Sequence, residues 1–270
     1  GSGSNWATMP ANGFARLLPW KVDDRQSAVQ PDGSVHLVLS LVDSSQTRLR
    51  GFPYAFELEY GVKLTSRSLQ VSLTVANPRL VQWTEGFQCM LHTHLAVQSL
   101  ENQPALGNVS IHGLSGANYL DRLDKGSKKE DKSVSSRDPD SGDFTRGIGG
   151  LSFDGQSAGG VDRVYLSGTG FLGTFTAAEV HTAAQTPAHP ISGTSGVGVK
   201  GGVTIVEATC SRAAMATWGD STPSPDMLIS GGTAKGVLCV SPGLISAPIT
   251  ALVSGRMTLT QTLSHQPDNV

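Results

Sequence analysis

"FPYAFELEYGVKLTSRSLQVSLTVANP", residues 52–78, alternates apolar and polar side chains twice, with a polar interruption between the two runs. Phe56, Leu58 and Tyr60 recur at every second position. Leu69, Val71, Leu73 and Val75 then do the same, with Gln70, Ser72 and Thr74 between them. A period of two sends alternate side chains to opposite faces of an extended chain, so each run predicts a strand with one face buried. Working outward, the pattern returns in "SVHLVLSLVDS" (34–44), "NVSIHGL" (108–114), "DRVYLSG" (162–168), "FLGTFTA" (171–177), "GVTIVEATC" (202–210), "KGVLCVS" (235–241) and "RMTLTQTL" (256–263). "GFQCMLHTHLAV" (86–97) is apolar on both faces, which predicts one central strand. No stretch carries a three-turn amphipathic helix, and "SRAAMATWGDS" (211–221) is short and ambiguous. So many strands with turn residues between them predict an all-β fold, a large antiparallel twisted sandwich.

Composition agrees. Glycine is abundant, at 32 of 270 residues, and charged residues make up only 16%, which suits many tight turns better than long surface helices. The net charge of −2 excludes an electrostatic case for a nucleic-acid partner. No apolar run approaches the roughly 18 residues of a membrane-spanning helix. Cys89, Cys210 and Cys239 lie far apart with no CxxC pair, which predicts reduced, buried thiols and a reducing intracellular compartment, cytoplasm or organelle. The opening "GSGSN" has no initiator methionine and reads as a fragment, a processed form or an expression product.

The segment 124–147, "DKGSKKEDKSVSSRDPDSGDFTRG", is charged, Ser-rich and nearly free of large apolar residues. It cannot bury enough surface to offset its ordering entropy and reads as an exposed, mobile insertion, a lid or a contact surface for a protein partner. "QTPAHPISGTSGVGVKGG" (185–202) is a second loop-rich stretch. Neither divides the chain, so residues 1–270 read as one domain.

"LHTHLAV" (91–97) sets two histidines two apart, so His92 and His94 lean to one face of their strand. They read as acid–base groups, as metal ligands with His112, or as packed core histidines. No Asp, Glu or Cys spacing supports the metal.

Six segments in order resemble the glucose-6-phosphate 1-epimerase branch of the aldose-1-epimerase, galactose-mutarotase-like family. "NGFARLLPWKV" (12–22) resembles its HGFAR…W segment, and 52–78 its P-F-x-F-E-L…L-x-V-x-L-x-V-x-N signature. "LHTHLAVQSL" (91–100) is similar to HTYF-x-V, and "VSIHGLSGANYLDRL" (109–123) to V-x-V-x-G-L-x-x-x-x-Y-x-D. "VDRVYL" (161–166) is similar to its D-R-V-Y, and "GVLCVSPG" (236–243) to M-x-C-V-E-x-G. The family's first strands have no counterpart. The resemblance implies a β-sandwich with a sugar cleft on one sheet, hexose phosphate or another sugar as ligand, and no metal or cofactor. It implies His92 as the acid that protonates the ring oxygen, Asp162 and Asn12 as sugar-binding groups, and Arg16 as the fork of donors for a phosphate. Ser241 stands where the family has its glutamate base, Asn12 where it has a histidine, and His94 where it has a tyrosine. Serine cannot act as a base at neutral pH without a partner to activate it, so mutarotation is expected to be impaired, or lost in a sugar-binding or structural pseudoenzyme. Glu207 is the acidic candidate to stand in for the base. Blander readings stay open: Arg16 as a turn cap, Asp162 and Arg163 as a structural ion pair, Trp218 as a core aromatic.

Overall fold

The two alternating runs of residues 52–78 are neighbouring antiparallel strands. The computed structural model of the chain describes residues 9, 10, 12–80, 83, 86–96, 109–112, 118–125, 127–130, 161–166, 177–182, 202–213, 225–232, 237–249 and 255–267. Short strands β1 (Lys21–Val22) and β2 (Ala28–Val29) both pair with β3 (Val35–Val42). β3 pairs with β4 (Glu57–Leu64), and β4 with β5 (Ser68–Ala76), in registers that set Leu41 opposite Leu58 and Leu58 opposite Val75. Thr65 closes the β4–β5 hairpin: its Oγ1 accepts from the N–H groups of Arg67 and Ser68, at 3.2 and 3.0 Å. The polar face of β5 is not left to water. Thr74 is buried, and its hydroxyl meets that of Thr258 at 2.8 Å. A short helix, α1 (Ser45–Leu49), interrupts the strands. Ser44 Oγ accepts from Thr47 N–H while Thr47 Oγ1 accepts from Ser44 N–H, a capping box built with threonine in the usual glutamate position.

The chain divides into two compact units, each discontinuous in sequence: Gly1–Cys89 with Cys210–Pro223 and Ala247–Thr260, and Met90–Thr209 with Ser224–Ser246 and Gln261–Val270. The core of the first gathers Phe14, Phe52, Tyr54, Phe56, Trp83 and Phe87, with ring centroids 5.2–5.7 Å apart and mostly edge-on or tilted contacts. Aromatic rings prefer such geometry because the positive ring edge meets a negative face.

Later strands are β6 (Phe87–Met90), β7 (His94–Ala96), β8 (Val109–His112), β9 (Asn118–Asp121), β10 (Ser127–Glu130), β11 (Val161–Tyr165), β12 (Ala177–Thr182), β13 (Gly202–Ala213), β14 (Asp226–Gly232), β15 (Val237–Ile249) and β16 (Arg256–Pro267). In the second unit β10, β9, β11, β14 and β15 are successive antiparallel neighbours, with β7 also on β15. β12 lies between β8 and β13. Val164, Leu166, Leu228 and Cys239 form a buried cluster there, joined by Met90, Leu120 and Ile245.

The structure corrects the reading of 124–147 at its start. Ser127–Glu130 is a strand on β9, with Lys128 opposite Leu120. Asp124 turns the hairpin: its carboxylate accepts from the Ser127 hydroxyl at 2.8 Å. Period-two reasoning missed it because a strand added at a sheet edge needs no apolar face of its own. Residues 131–147, the second loop-rich stretch up to residue 201, residues 171–176 and Trp218 lie outside the described residues.

Candidate functional site

The expected single strand over 86–97 is instead two, β6 and β7, separated at Leu91–Thr93. The cause lies in the chain opposite. β15 pairs with β7 so that Cys239 faces His94. Continued through the gap, this register sets Val240 against Thr93, Ser241 against His92 and Pro242 against Leu91. Leu91 N–H reaches Pro242 O at 2.9 Å, but proline has no N–H to return. Val240 N–H reaches Thr93 O at 3.0 Å, but Thr93 N–H goes to Ser241 Oγ at 2.9 Å instead of Val240 O. Gln261 fills the vacancy. Its Nε2 donates to Val240 O at 3.2 Å and its Oε1 accepts from Thr93 Oγ1 at 2.6 Å. Two reciprocal ladder bonds are thus missing, while the register holds.

Positions 92 and 94 oppose 241 and 239 as non-hydrogen-bonded pairs, the kind in which side chains come closest. Four side chains therefore meet on one face. His92 Nδ1 is 3.2 Å from Ser241 Oγ and 3.5 Å from Cys239 Sγ. Ser241 Oγ lies 3.0 Å from Cys239 Sγ. The imidazoles are edge to face, with centroids 4.5 Å apart and Nε2 atoms 2.9 Å apart. Ser241 and Cys239 are buried, whereas both histidines are exposed.

Two proton arrangements fit these contacts. A hydroxyl oxygen has two lone pairs and one proton. In one, Ser241 Oγ accepts from Thr93 N–H and Cys239 S–H and donates to His92 Nδ1; in the other, it accepts from Thr93 N–H and His92 Nδ1–H, and its own proton points to Cys239 Sγ. In the second, His92 Nε2 is left with a lone pair, aimed at His94.

The electrostatics follow the burial. Partial desolvation holds the His92 pKa below its ordinary 6.5, and the neighbouring His94 and then the Arg122 charge push the same way. The neutral ring is therefore the dominant form at neutral pH. Burial also raises the Cys239 thiol, against the opposing hydrogen bonds of Ser241 and Ser230.

The polar face continues across the sheet. The registers set Asp162 opposite Ser230, Ser230 opposite Cys239, and Cys239 opposite His94. Asp162 pairs with Arg122, Oδ1 to Nη1 at 3.4 Å, not with Arg163 as the adjacent positions suggested. Arg163 stacks on the Tyr119 ring, 4.5 Å from its centroid. Adjacent residues on a strand point to opposite faces, so Arg163 could not share the Asp162 side. The ion pair makes no hydrogen bond, and Asp162 Oδ1 is buried without a donor.

The structure thus brings His92, His94 and Ser241 together and sets Asp162 in the same cross-strand row. Asn12 and Arg16 belong to the first unit. Both are exposed, Asn12 in a left-handed turn at φ 61° and Arg16 in a short 3-10 helix, Ala15–Leu17. Glu207 is opposite Ala177 on β13, and His112 is on β8; neither side chain is among those described. Sequence reasoning missed Cys239, Thr93 and Gln261. The available signal was the pair of alternations, His-x-His at 92–94 and Cys-x-Ser at 239–241, which becomes a site only when the two strands pair.

The fold is shared with galactose mutarotase-like proteins. A galactose mutarotase-like protein from Clostridium acetobutylicum superposes with a TM-score of 0.60 at 11% identity, over 94% of this chain and 68% of that one. A Synechocystis protein gives 0.58 at 17% identity, covering 94% and 68%. A galactose mutarotase-like protein from Lactobacillus casei gives 0.57 at 14%, covering 96% and 76%. No curated protein is similar enough to count as a match. The class is therefore the all-β, galactose-mutarotase-like sandwich. Within it the chain belongs to the aldose 1-epimerase family, whose model matches residues 3–187, and is of the sugar epimerase and mutarotase kind. Among the described residues, no helix is long and apolar enough to cross a membrane.

Proposed function

We propose that the chain is a divergent member of the glucose-6-phosphate 1-epimerase branch that binds a hexose 6-phosphate and interconverts its anomers poorly. Anomer exchange needs a base on the anomeric hydroxyl and an acid on the ring oxygen. The observation that carries the reading is the Ser241–His92 contact of 3.2 Å. In the expected place of the base stands a buried hydroxyl that already serves the Thr93 amide. Among the described residues the hydrogen-bond partners of His92 are His94, Cys239 and Ser241, none of them a carboxylate. The depressed His92 pKa also thins the protonated form that an acid needs. Asp162 Oδ1, with no donor, supports a role in holding sugar hydroxyls. For Asn12 and Arg16, in the first unit, the sugar-binding and phosphate roles rest on the family resemblance alone. The same lack of a carboxylate among the described partners of His92 favours a second reading, a non-catalytic sugar-binding or structural protein with the 124–147 insertion as the contact for a protein partner.

Magnetisation exchange between the anomers of glucose 6-phosphate separates the two. The first reading expects slow but protein-dependent exchange, raised by Ser241→Glu and lowered again by His92→Ala in that background. General acid–base help is worth about 10²–10⁴ in rate, which sets the scale of the rescue. Rapid exchange by the unaltered chain overturns the impairment. Exchange at the solvent rate, without rescue but with ligand-induced shifts, supports the second reading.

A further inference from the structure

We propose that His92, His94 and Cys239 form a divalent-metal site, with zinc as the ion whose chemistry fits. This inference does not rest on the sugar reading, and an ion on His92 Nε2 would occupy the nitrogen that the acid role needs. The three donor atoms lie within 4.8 Å of one another. Zinc takes nitrogen at about 2.0–2.1 Å and sulfur at about 2.3 Å, so a tetrahedral site needs donors roughly 3.3–3.6 Å apart. The His92–His94 Nε2 pair, at 2.9 Å, and the His92 Nε2–Cys239 Sγ pair, at 3.8 Å, bracket that spacing. The exposed His94 ring is free of core packing and turns to close the third side.

The surroundings are those of a ligand set. Ser241 Oγ stands 3.2 Å from the far nitrogen of His92. Accepting from Nδ1–H, it holds the tautomer whose free lone pair is on Nε2, as outer hydrogen-bond partners of metal-bound histidines do. Its hydroxyl also lies 3.0 Å from Cys239 Sγ, in reach to hydrogen-bond a metal-bound sulfur. Two nitrogens and one sulfur suit zinc better than calcium or magnesium, which prefer oxygen. The solvent side of the two imidazoles leaves the fourth position to water or to a ligand hydroxyl. Binding is balanced by release of the Cys239 thiol proton to solvent, while the His94 proton moves from Nε2 to Nδ1.

The test uses the whole chain, stripped with chelator and titrated with cobalt(II), with zinc as competitor. We expect one equivalent to bind with a thiolate-to-cobalt charge-transfer band and the visible intensity of a tetrahedral site. Zinc should displace it. Cys239→Ser should abolish the band, and the surface change His94→Ala should weaken binding at least tenfold, with both variants shown folded by circular dichroism. Should Cys239→Ser fail to fold, His94→Ala alone decides. No band in the unaltered chain overturns the proposal. So does a band that survives Cys239→Ser, which would belong to Cys89 or Cys210, and so does binding unchanged in His94→Ala.

Discussion

The aromatic core of the first unit and the histidine face of the second are both built on antiparallel strands, but by opposite means. In the first, β3, β4 and β5 pair in chain order, and the stabilising groups are rings with no polar obligations beyond the edges of Trp and Tyr. In the second, β7 meets β15 across most of the chain, and the groups brought together are ones that demand partners: Thr93, Cys239, Ser241 and Gln261. An apolar cluster tolerates imprecise neighbours, losing a fraction of its contact for each error. A buried polar network fails at the first missing partner. The difference teaches where each unit is vulnerable.

The largest effect belongs to the aromatic core. Trp83 is 2% exposed and touches Phe52, Tyr54 and Phe87. Trp83→Ala should cost about 3–5 kcal/mol, read as a lower urea midpoint at unchanged slope. If the loss is below about 1 kcal/mol, the cluster is not what holds the first unit together. Next comes Gln261→Met, which keeps length but removes both polar ends. It leaves the Thr93 hydroxyl and the Val240 carbonyl without their partner, at about 1–3 kcal/mol for each group left unsatisfied. A loss smaller than that of an ordinary surface substitution would break the contrast between the two units.

The smallest effect is electrostatic. With metal removed, the folded state holds the His92 pKa below its unfolded value near 6.5. The native chain therefore binds fewer protons than the unfolded one, and the His92 contribution is present above pH 6.5 and fades as pH falls through the folded value. His92→Gln should flatten the stability curve in that window, on top of a pH-independent offset for the lost Ser241 contact. Because the ring is partly open to solvent, the change is small. An equal slope in the variant would show that the ring is not desolvated.

Much of the first unit was legible in the sequence because its evidence is local. Alternation in residues 52–78 names both strands, their inward faces and the hairpin between them. The helix α1 was not legible, since five residues leave no period and Thr47 is not the usual capping partner. Of the second unit, the strands could be read but not their meeting. That His92 and His94 share a face follows from their spacing, whereas the presence of Cys239 and Ser241 on that face depends on the register of a distant strand. The break at Leu91–Thr93 hid for the same reason, because its cause is a proline in the partner strand. Ser127–Glu130 was misread because composition measures what a segment can bury, not which edge it can extend.

Pro242 and the hydroxyl of Ser241 have one more consequence, for how the chain finds its fold. A strand pair slid by two residues keeps its inward faces inward, so hydrophobic burial alone does not reject the error. Here it is rejected. Only one alignment of β7 with β15 puts a residue without an N–H opposite Leu91, a hydroxyl beside the Thr93 amide and an amide side chain under the Val240 carbonyl. Any slip strands those groups in a buried place, each at roughly 1–3 kcal/mol. The gap in the ladder thus works as a counting device, measuring two segments nearly 150 residues apart against each other to the exact residue.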